Sequence, residues 1–183
     1  MSLSKDNTSL KSYFVFKTGI GWCGVVSSEK GILRILIGYP SPERILRKIV
    51  AEFGRGIAKT PAKGNIADKI KRYFSGGKVS FKCVLDWSFL SPFQKKVLKV
   101  AMRIPYGTVE SYGSLAKKAG CPRGSRAVGG VLAKNPFPLV VPCHRIVRKD
   151  GSLGGFSAGG GAQLKKKLLK LEGTNQTFKI RLR

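Results

Sequence analysis

From Ser12 to Gly38 apolar residues come in short β-rich stretches, SYFVFK, IGWCGVVS and GILRILIG, broken at Thr18-Gly19 and at Glu29-Lys30-Gly31. This spacing predicts three strands joined by hairpin turns. The period then changes. Ser41-Pro42-Glu43 offers an N-cap, a proline at the first helical position and an early acid, and Ile45, Leu46, Ile49, Val50 and Phe53 follow at helical spacing before Gly54. NIADKIKRYFSGG (65–77) repeats the pattern with Gly76-Gly77 as its stop, and KVSFKCVLDW (78–87) reads as β-rich.

Ser91-Pro92 opens another helix, whose amphipathic run FQKKVLKVAMRI ends before Pro105. From there to Asn135 the chain reads as all-helical. Ser111 caps YGSLAKKA, Gly120-Cys121-Pro122-Arg123-Gly124 makes a tight turn, and SRAVGGVLAK forms a second short helix. Two short helices across such a turn are a helix-turn-helix candidate, a pattern shared with many helical corners. The fold class is therefore α/β (α+β): a sheet-and-helix domain over 1–86, a mostly helical domain over 87–173, and a short basic tail over 174–183.

Composition sharpens this picture. The 183 residues, 42% of them hydrophobic, suffice for a real core. Thirty-five Lys and Arg against nine Asp and Glu give a net charge of +26, and between Ser111 and Lys149 there are eight basic residues and no acidic one. A polyanionic partner is the natural reading; a proteome-wide basic bias, as in thermophilic or ribosome-associated proteins, does not explain the acidic gap. Cys23, Cys83, Cys121 and Cys143 form no C-x-x-C pair, and MSLSKDNTSLKS lacks the apolar run of a secretion signal. Free thiols in a reducing compartment follow, with no metal site and no membrane span.

The candidate chemistry lies in VPCHRIV (141–147), where Cys143 stands beside the only histidine, His144. In an extended LVVPCHRIV segment the two side chains would point to opposite faces. Proton transfer between them then needs a kink near Pro142 or an intervening water, with a carboxylate behind the ring. Asp150 falls in a turn, and Glu172 ends the last helix, where a carboxylate needs a partner to offset the helix dipole. An inert core thiol remains the alternative for Cys143. In the second short helix Ala127, Gly129 and Gly130 leave a nearly bare surface, and the two adjacent glycines cost about 2 kcal/mol of helix propensity. Either a neighbouring helix or the wall of a DNA groove comes close, with Arg126 long enough to enter a duplex. The glycine-rich GSLGGFSAGGG lacks the pattern of a nucleotide P-loop; its glycines allow backbone to line a tight pocket.

TVESYGSLAKKAG, SRAVGGVLAKNPFPLVVPCHRIV and GSLGGFSAGGGAQLKKKLLKLEG, taken together and in order, resemble the O6-alkylguanine-DNA alkyltransferase family, the methylated-DNA–protein-cysteine methyltransferases, over roughly residues 85–173. The resemblance implies a ribonuclease-H-like N-terminal domain followed by a winged helix-turn-helix-like catalytic domain. It also implies direct reversal of DNA damage, without a cofactor, by a monomer acting in the cytoplasm, or in the nucleus of a eukaryotic cell. Cys143 would take the alkyl group irreversibly from the O6 of guanine in duplex DNA, and O4-alkylthymine is a further candidate substrate. His144 would take the thiol proton through a water and Glu172 would orient His144. Tyr112 would crowd the target phosphate and donate to purine N3, while Asn135 would tie the recognition helix to the active-site segment. Arg126 would fill the stack left by a flipped base, with Ser125, Ala127, Gly129 and Gly130 on the surface that meets DNA, in the minor groove. Leu132, Pro138, Ile146, Gly154, Phe156 and Ser157 fall at pocket positions. Phe156 stands where many relatives have tyrosine, which removes any hydroxyl contact there.

Three other readings fare worse. A non-reacting alkyltransferase-like binder commonly has tryptophan where this chain keeps Cys143. A regulator fused to a metal-binding module needs a cysteine cluster. A cysteine hydrolase needs an oxyanion hole that nothing in the sequence suggests.

Overall fold

The computed structural model describes residues 11–62 and 64–174. The secretion-signal reading of the first ten residues, and the basic tail apart from Thr174, lie outside them. Strands β1 (Ser12–Thr18), β2 (Gly21–Ser28) and β3 (Gly31–Tyr39) form an antiparallel meander, and the two-residue β4 (Ala58–Lys59) adds in parallel to β1, giving the order β3-β2-β1-β4. Two helices cover the sheet. On one face α1 (Pro42–Phe53) packs Ile45 and Ile49 against Val26, Leu33 and Leu36. On the other face α2 (Ile66–Phe74) buries Ile66, Ile70, Tyr73 and Phe74.

The second half is mostly helical: α3 (Pro92–Ala101), α4 (Tyr112–Lys118), α5 (Ser125–Ala133) and α6 (Gly161–Leu171). The start of α3 is fixed by a reciprocal cap, since Ser91 Oγ accepts from Gln94 N–H and the Gln94 side chain accepts from Ser91 N–H. Ser111 Oγ caps α4 by accepting from Ser114 N–H. The α4–turn–α5 unit packs on α3 through Val97, Leu98, Leu115 and Val128, all nearly fully buried. These residues join Phe14, Cys23, Val25, Ile35 and Ile37 of the sheet, Ile70 of α2, Phe137 and Leu168 in one continuous apolar cluster, so the core runs through both halves of the chain.

Two expectations are corrected. Residues 78–87 form no strand. Val79, Phe81, Cys83 and Leu85 do turn inward in alternation, but the segment meets the sheet only at its end, where Ile32 bridges Leu85 and Ser28 Oγ donates to Asp86, so the period is that of a strand without a paired neighbour along its length. The stretch before Asn135 is also not all-helical: β5 (Glu110–Ser111) leads into α4 and pairs in parallel with β6 (Ile146–Val147), joining the cysteine segment to the start of the helix pair. Among the described residues no helix is long and apolar enough to cross a membrane.

Candidate active site and nucleic-acid interface

The segment that carries the thiol is shaped by Asn135, just beyond α5. Its Oδ1 accepts from Phe137 N–H at 3.0 Å, and its Nδ2 donates to Val141 O at 2.9 Å and to Cys143 Sγ at 3.0 Å. Between these ties Leu139 adopts φ 73°, the one positive φ outside glycine among the described residues. The chain is not extended at the cysteine. Pro142 has φ −77° and ψ 62°, Arg145 N–H returns to Pro142 O, and Cys143–Arg145 form one 3-10 turn before β6. Of the two forms open to this segment, extended or kinked near Pro142, it takes the kink, because proline limits the backbone and the amide of Asn135 holds Cys143.

The turn buries Cys143, His144 and Arg145 and aims the last two at Glu172. His144 Nε2 lies 2.9 Å from Glu172 Oε1. Its Nδ1 is buried and has no hydrogen-bond partner among the described residues. Arg145 grips the carboxylate with two donors, Nε to Oε2 at 2.9 Å and Nη2 to Oε1 at 2.8 Å, while its Nη1 donates to Ile104 O. Gly107 N–H adds a donor to Oε2 and the hydroxyl of Tyr73 one to Oε1. Glu172, at the unfavourable end of α6, thus finds the partners that position demands.

The electrostatics follow from burial. Burial alone pushes the Glu172 carboxyl up, but the hydrogen bonds from His144, Arg145 and Tyr73 outweigh it and hold the group well below the usual carboxylate range. Burial holds His144 below its ordinary value in spite of Glu172, so the ring is neutral at pH 7 with Nε2–H on the carboxylate and Nδ1 as its acceptor. Burial likewise raises the Cys143 thiol, against the opposing effects of the Asn135 amide and of Lys165. The sulfur therefore rests protonated.

Two cavities meet at Cys143. One, of about 520 Å³, is lined by Tyr112, Ser125, Arg126, Gly129, Leu132, Gly154, Phe156 and Ser157. The other, of about 450 Å³, carries Asn135 and Pro138, with Phe156 and Ser157 shared between the two. Ile146 lines neither: its side chain is fully buried in the core, and only its carbonyl faces inward, toward Lys165. Ala127 and Gly130 lie exposed on the outer surface of α5 beside the exposed Arg126, outside both cavities. Gly154, at φ 67°, lets the chain pass so close to Tyr112 that a Cβ there would sit 2.9 Å from the tyrosine hydroxyl.

Three participants carry no role in the sequence reading. Arg145 is part of the quoted motif, yet nothing local gives it a carboxylate 27 residues away. Lys165, fully buried, donates to Ile146 O and Leu153 O and lies 5.9 Å from the centre of the Tyr112 ring; burial lowers its pKa to about 8. Its signal was a lysine on the buried stripe of α6, with Leu164, Leu168 and Leu169. Tyr73 sits on the buried stripe of α2, which places its ring but not its hydroxyl.

Residues 92–174 match the family described as 6-O-methylguanine DNA methyltransferase, DNA binding domain. The chain is 37% identical to a methylated-DNA–protein-cysteine methyltransferase of Methanothermobacter thermautotrophicus, covering 83% of this chain and 80% of that protein. It is 36% identical to the protein of the same name from Sulfolobus acidocaldarius, over 89% of this chain and 94% of that one. A crystal structure of Mycobacterium tuberculosis OGT in complex with DNA superposes with a TM-score of 0.73 at 30% identity, over 88% of this chain and 92% of that one.

Proposed function

This chain belongs to the methylated-DNA–protein-cysteine methyltransferase family, and we propose that Cys143 is the residue onto which it draws the alkyl group of O6-alkylguanine in duplex DNA. The observation that carries this reading is the sulfur at the junction of two cavities, held by Asn135 on one side and followed by the His144–Glu172 pair on the other.

The thiol proton passes through a water to Nδ1 of His144, whose Nε2–H stays on Glu172. The freed sulfur lone pair forms the S–C bond as the C–O6 bond breaks, and that electron pair returns to the purine. The Tyr112 hydroxyl donates to N3 of the departing base and moderates its charge. The Asn135 amide, a donor to sulfur, favours the thiolate as it forms. The product is a thioether, whose C–S bond is stable in water, so each molecule acts once.

A purine inside a duplex cannot reach a sulfur this deeply set, so the base is flipped out, with Arg126 filling the gap. The nearly bare outer surface of α5 at Ala127 and Gly130, with Ser125 and Gly129 at the cavity mouth beside it, suits close approach in the minor groove. Affinity comes mainly from phosphate contacts, is indifferent to sequence and weakens steeply with salt. O4-alkylthymine is a second substrate to try in the same pocket. The protein works as a monomer in a reducing compartment, the cytoplasm or a eukaryotic nucleus.

The test is to mix the protein with a duplex containing O6-methylguanine and weigh the peptide that holds Cys143. A hydrogen replaced by a methyl group on that peptide, absent in Cys143→Ala although the variant still binds DNA, is the expected result. Methyl found on another cysteine, or on none, refutes the assignment.

A further inference from the structure

The catalytic segment and the family match lie in the second half of the chain, yet one donor to the relay comes from the first. Tyr73, on α2, is 1% exposed; its hydroxyl donates to Glu172 Oε1 at 2.6 Å and lies 3.3 Å from His144 Nε2. Its ring is fixed edge-on between Phe74, Tyr106 and His144, with Phe81 tilted against it. A phenylalanine would fill this space equally well. A buried hydroxyl is costly unless it is bonded, and the strong acceptor it meets among the described residues is the oxygen that already receives Nε2–H of His144 and Nη2 of Arg145.

That third donor bears on the chemistry. Each hydrogen bond to a carboxylate oxygen disperses charge that would otherwise stabilise a protonated imidazole alongside. Arg145 and Gly107 already fix the carboxylate in place; the tyrosine hydroxyl adds restraint on its basicity. Resting on the reading of Cys143 given above, we propose that Tyr73 is a positioning residue of the proton relay, and that its hydroxyl on Glu172 limits the charge felt by His144 and so sets the pH below which the ring is already protonated and no longer accepts the thiol proton.

The other charged or titratable groups facing this site are Arg145 in the turn, Tyr106 ahead of β5, Lys165 on α6 and Cys143 itself, with Lys78 5.9 Å from the centre of the Tyr106 ring. Tyr73→Phe leaves all of them in place. It also orphans no buried group, because Glu172 keeps its other donors.

The experiment follows the rate at which Cys143 is alkylated by free O6-benzylguanine as a function of pH, so that DNA binding does not enter. Without the hydroxyl Glu172 becomes more basic, His144 is protonated at higher pH and loses its acceptor nitrogen there, and the acid limb moves to higher pH by about half a unit. Site-specific 3-fluorotyrosine at position 73, a stronger donor of the same shape, moves it to lower pH. In a Glu172→Gln background Tyr73→Phe shifts nothing. A limb that stays put or falls in Tyr73→Phe, an upward shift with fluorotyrosine, or a shift that survives in the Gln background overturns the proposal. An unreactive Cys143 in the wild-type protein overturns the reading of the site and this proposal together, whereas a reactive one with an unmoved limb overturns only the role of Tyr73.

Discussion

The side-chain amide of Asn135 donates to the sulfur of Cys143 at 3.0 Å, and the same nitrogen donates to Val141 O at 2.9 Å. One residue thus shapes the turn and favours the sulfur anion, and two substitutions separate these roles. Asn135→Ala leaves Phe137 N–H unpaired in the interior, at about 1–3 kcal/mol, and leaves Val141 O with the Cys143 N–H alone, and thermal unfolding should show the loss. Asn135→Asp keeps the acceptor for Phe137 but sets a negative oxygen against the sulfur. Alkyl transfer at neutral pH should then fall roughly 10- to 100-fold, the loss of a hydrogen bond to a charged group, and fall further than in the alanine variant. A smaller drop for Asp than for Ala would contradict a direct effect on the anion.

Gly154 passes Tyr112 at a distance no side chain tolerates. Gly154→Ala adds left-handed strain of about 1–2 kcal/mol and pushes the tyrosine hydroxyl aside, so alkyl transfer slows along with a modest drop in melting temperature. Adding Tyr112→Phe should return part of the stability and none of the rate. Recovery of the rate in the double variant would remove the hydroxyl from the reaction.

Arg126 is exposed on α5 while its side chain borders the cavity of Cys143. If it fills the stack, Arg126→Ala should slow repair of duplex about tenfold, a part of the few kcal/mol needed to unstack a base. Reaction with free O6-benzylguanine should hardly change. Equal losses on the two substrates would count against that role.

Glu172 links stability to acid. Its folded-state pKa lies below that of an unfolded glutamate, about 4.3, so its contribution is complete above that value and is lost as pH falls toward the folded-state value. The melting temperature should therefore decline below about pH 4.3. Glu172→Gln should be less stable at neutral pH by about 3–5 kcal/mol, because Arg145 is left buried without its partner, and its acid decline should be shallower. Parallel curves for the two proteins would show that the carboxylate is not what acid attacks.

Much of this architecture is legible in the sequence because it is local. Ser91, Pro92 and Gln94 announce the start of α3 within four residues, and the alternating apolar runs before Gly38 give the three strands. The cysteine and histidine stand out by adjacency, and the glycines of 151–161 by density. The turn at Cys143–Arg145 is different in kind: three residues carry no period, and the bend depends on an amide eight positions upstream. The partners of Glu172 are further still, since Tyr73 lies 99 residues away and its hydroxyl finds the carboxylate only after sheet and helices have packed. The 78–87 segment errs the other way, with the alternation of a strand and no neighbour to pair with beyond Leu85.

The apolar cluster that joins Phe14 of β1 to Leu168 of α6 runs through both halves, beside a smaller one under α1, so the larger interior is shared between them. Heat should therefore take the chain apart in one cooperative step, with sheet and thiol segment lost at the same temperature. The supply of repair-competent molecules then depends as much on a methylene under the sheet as on any atom beside the sulfur.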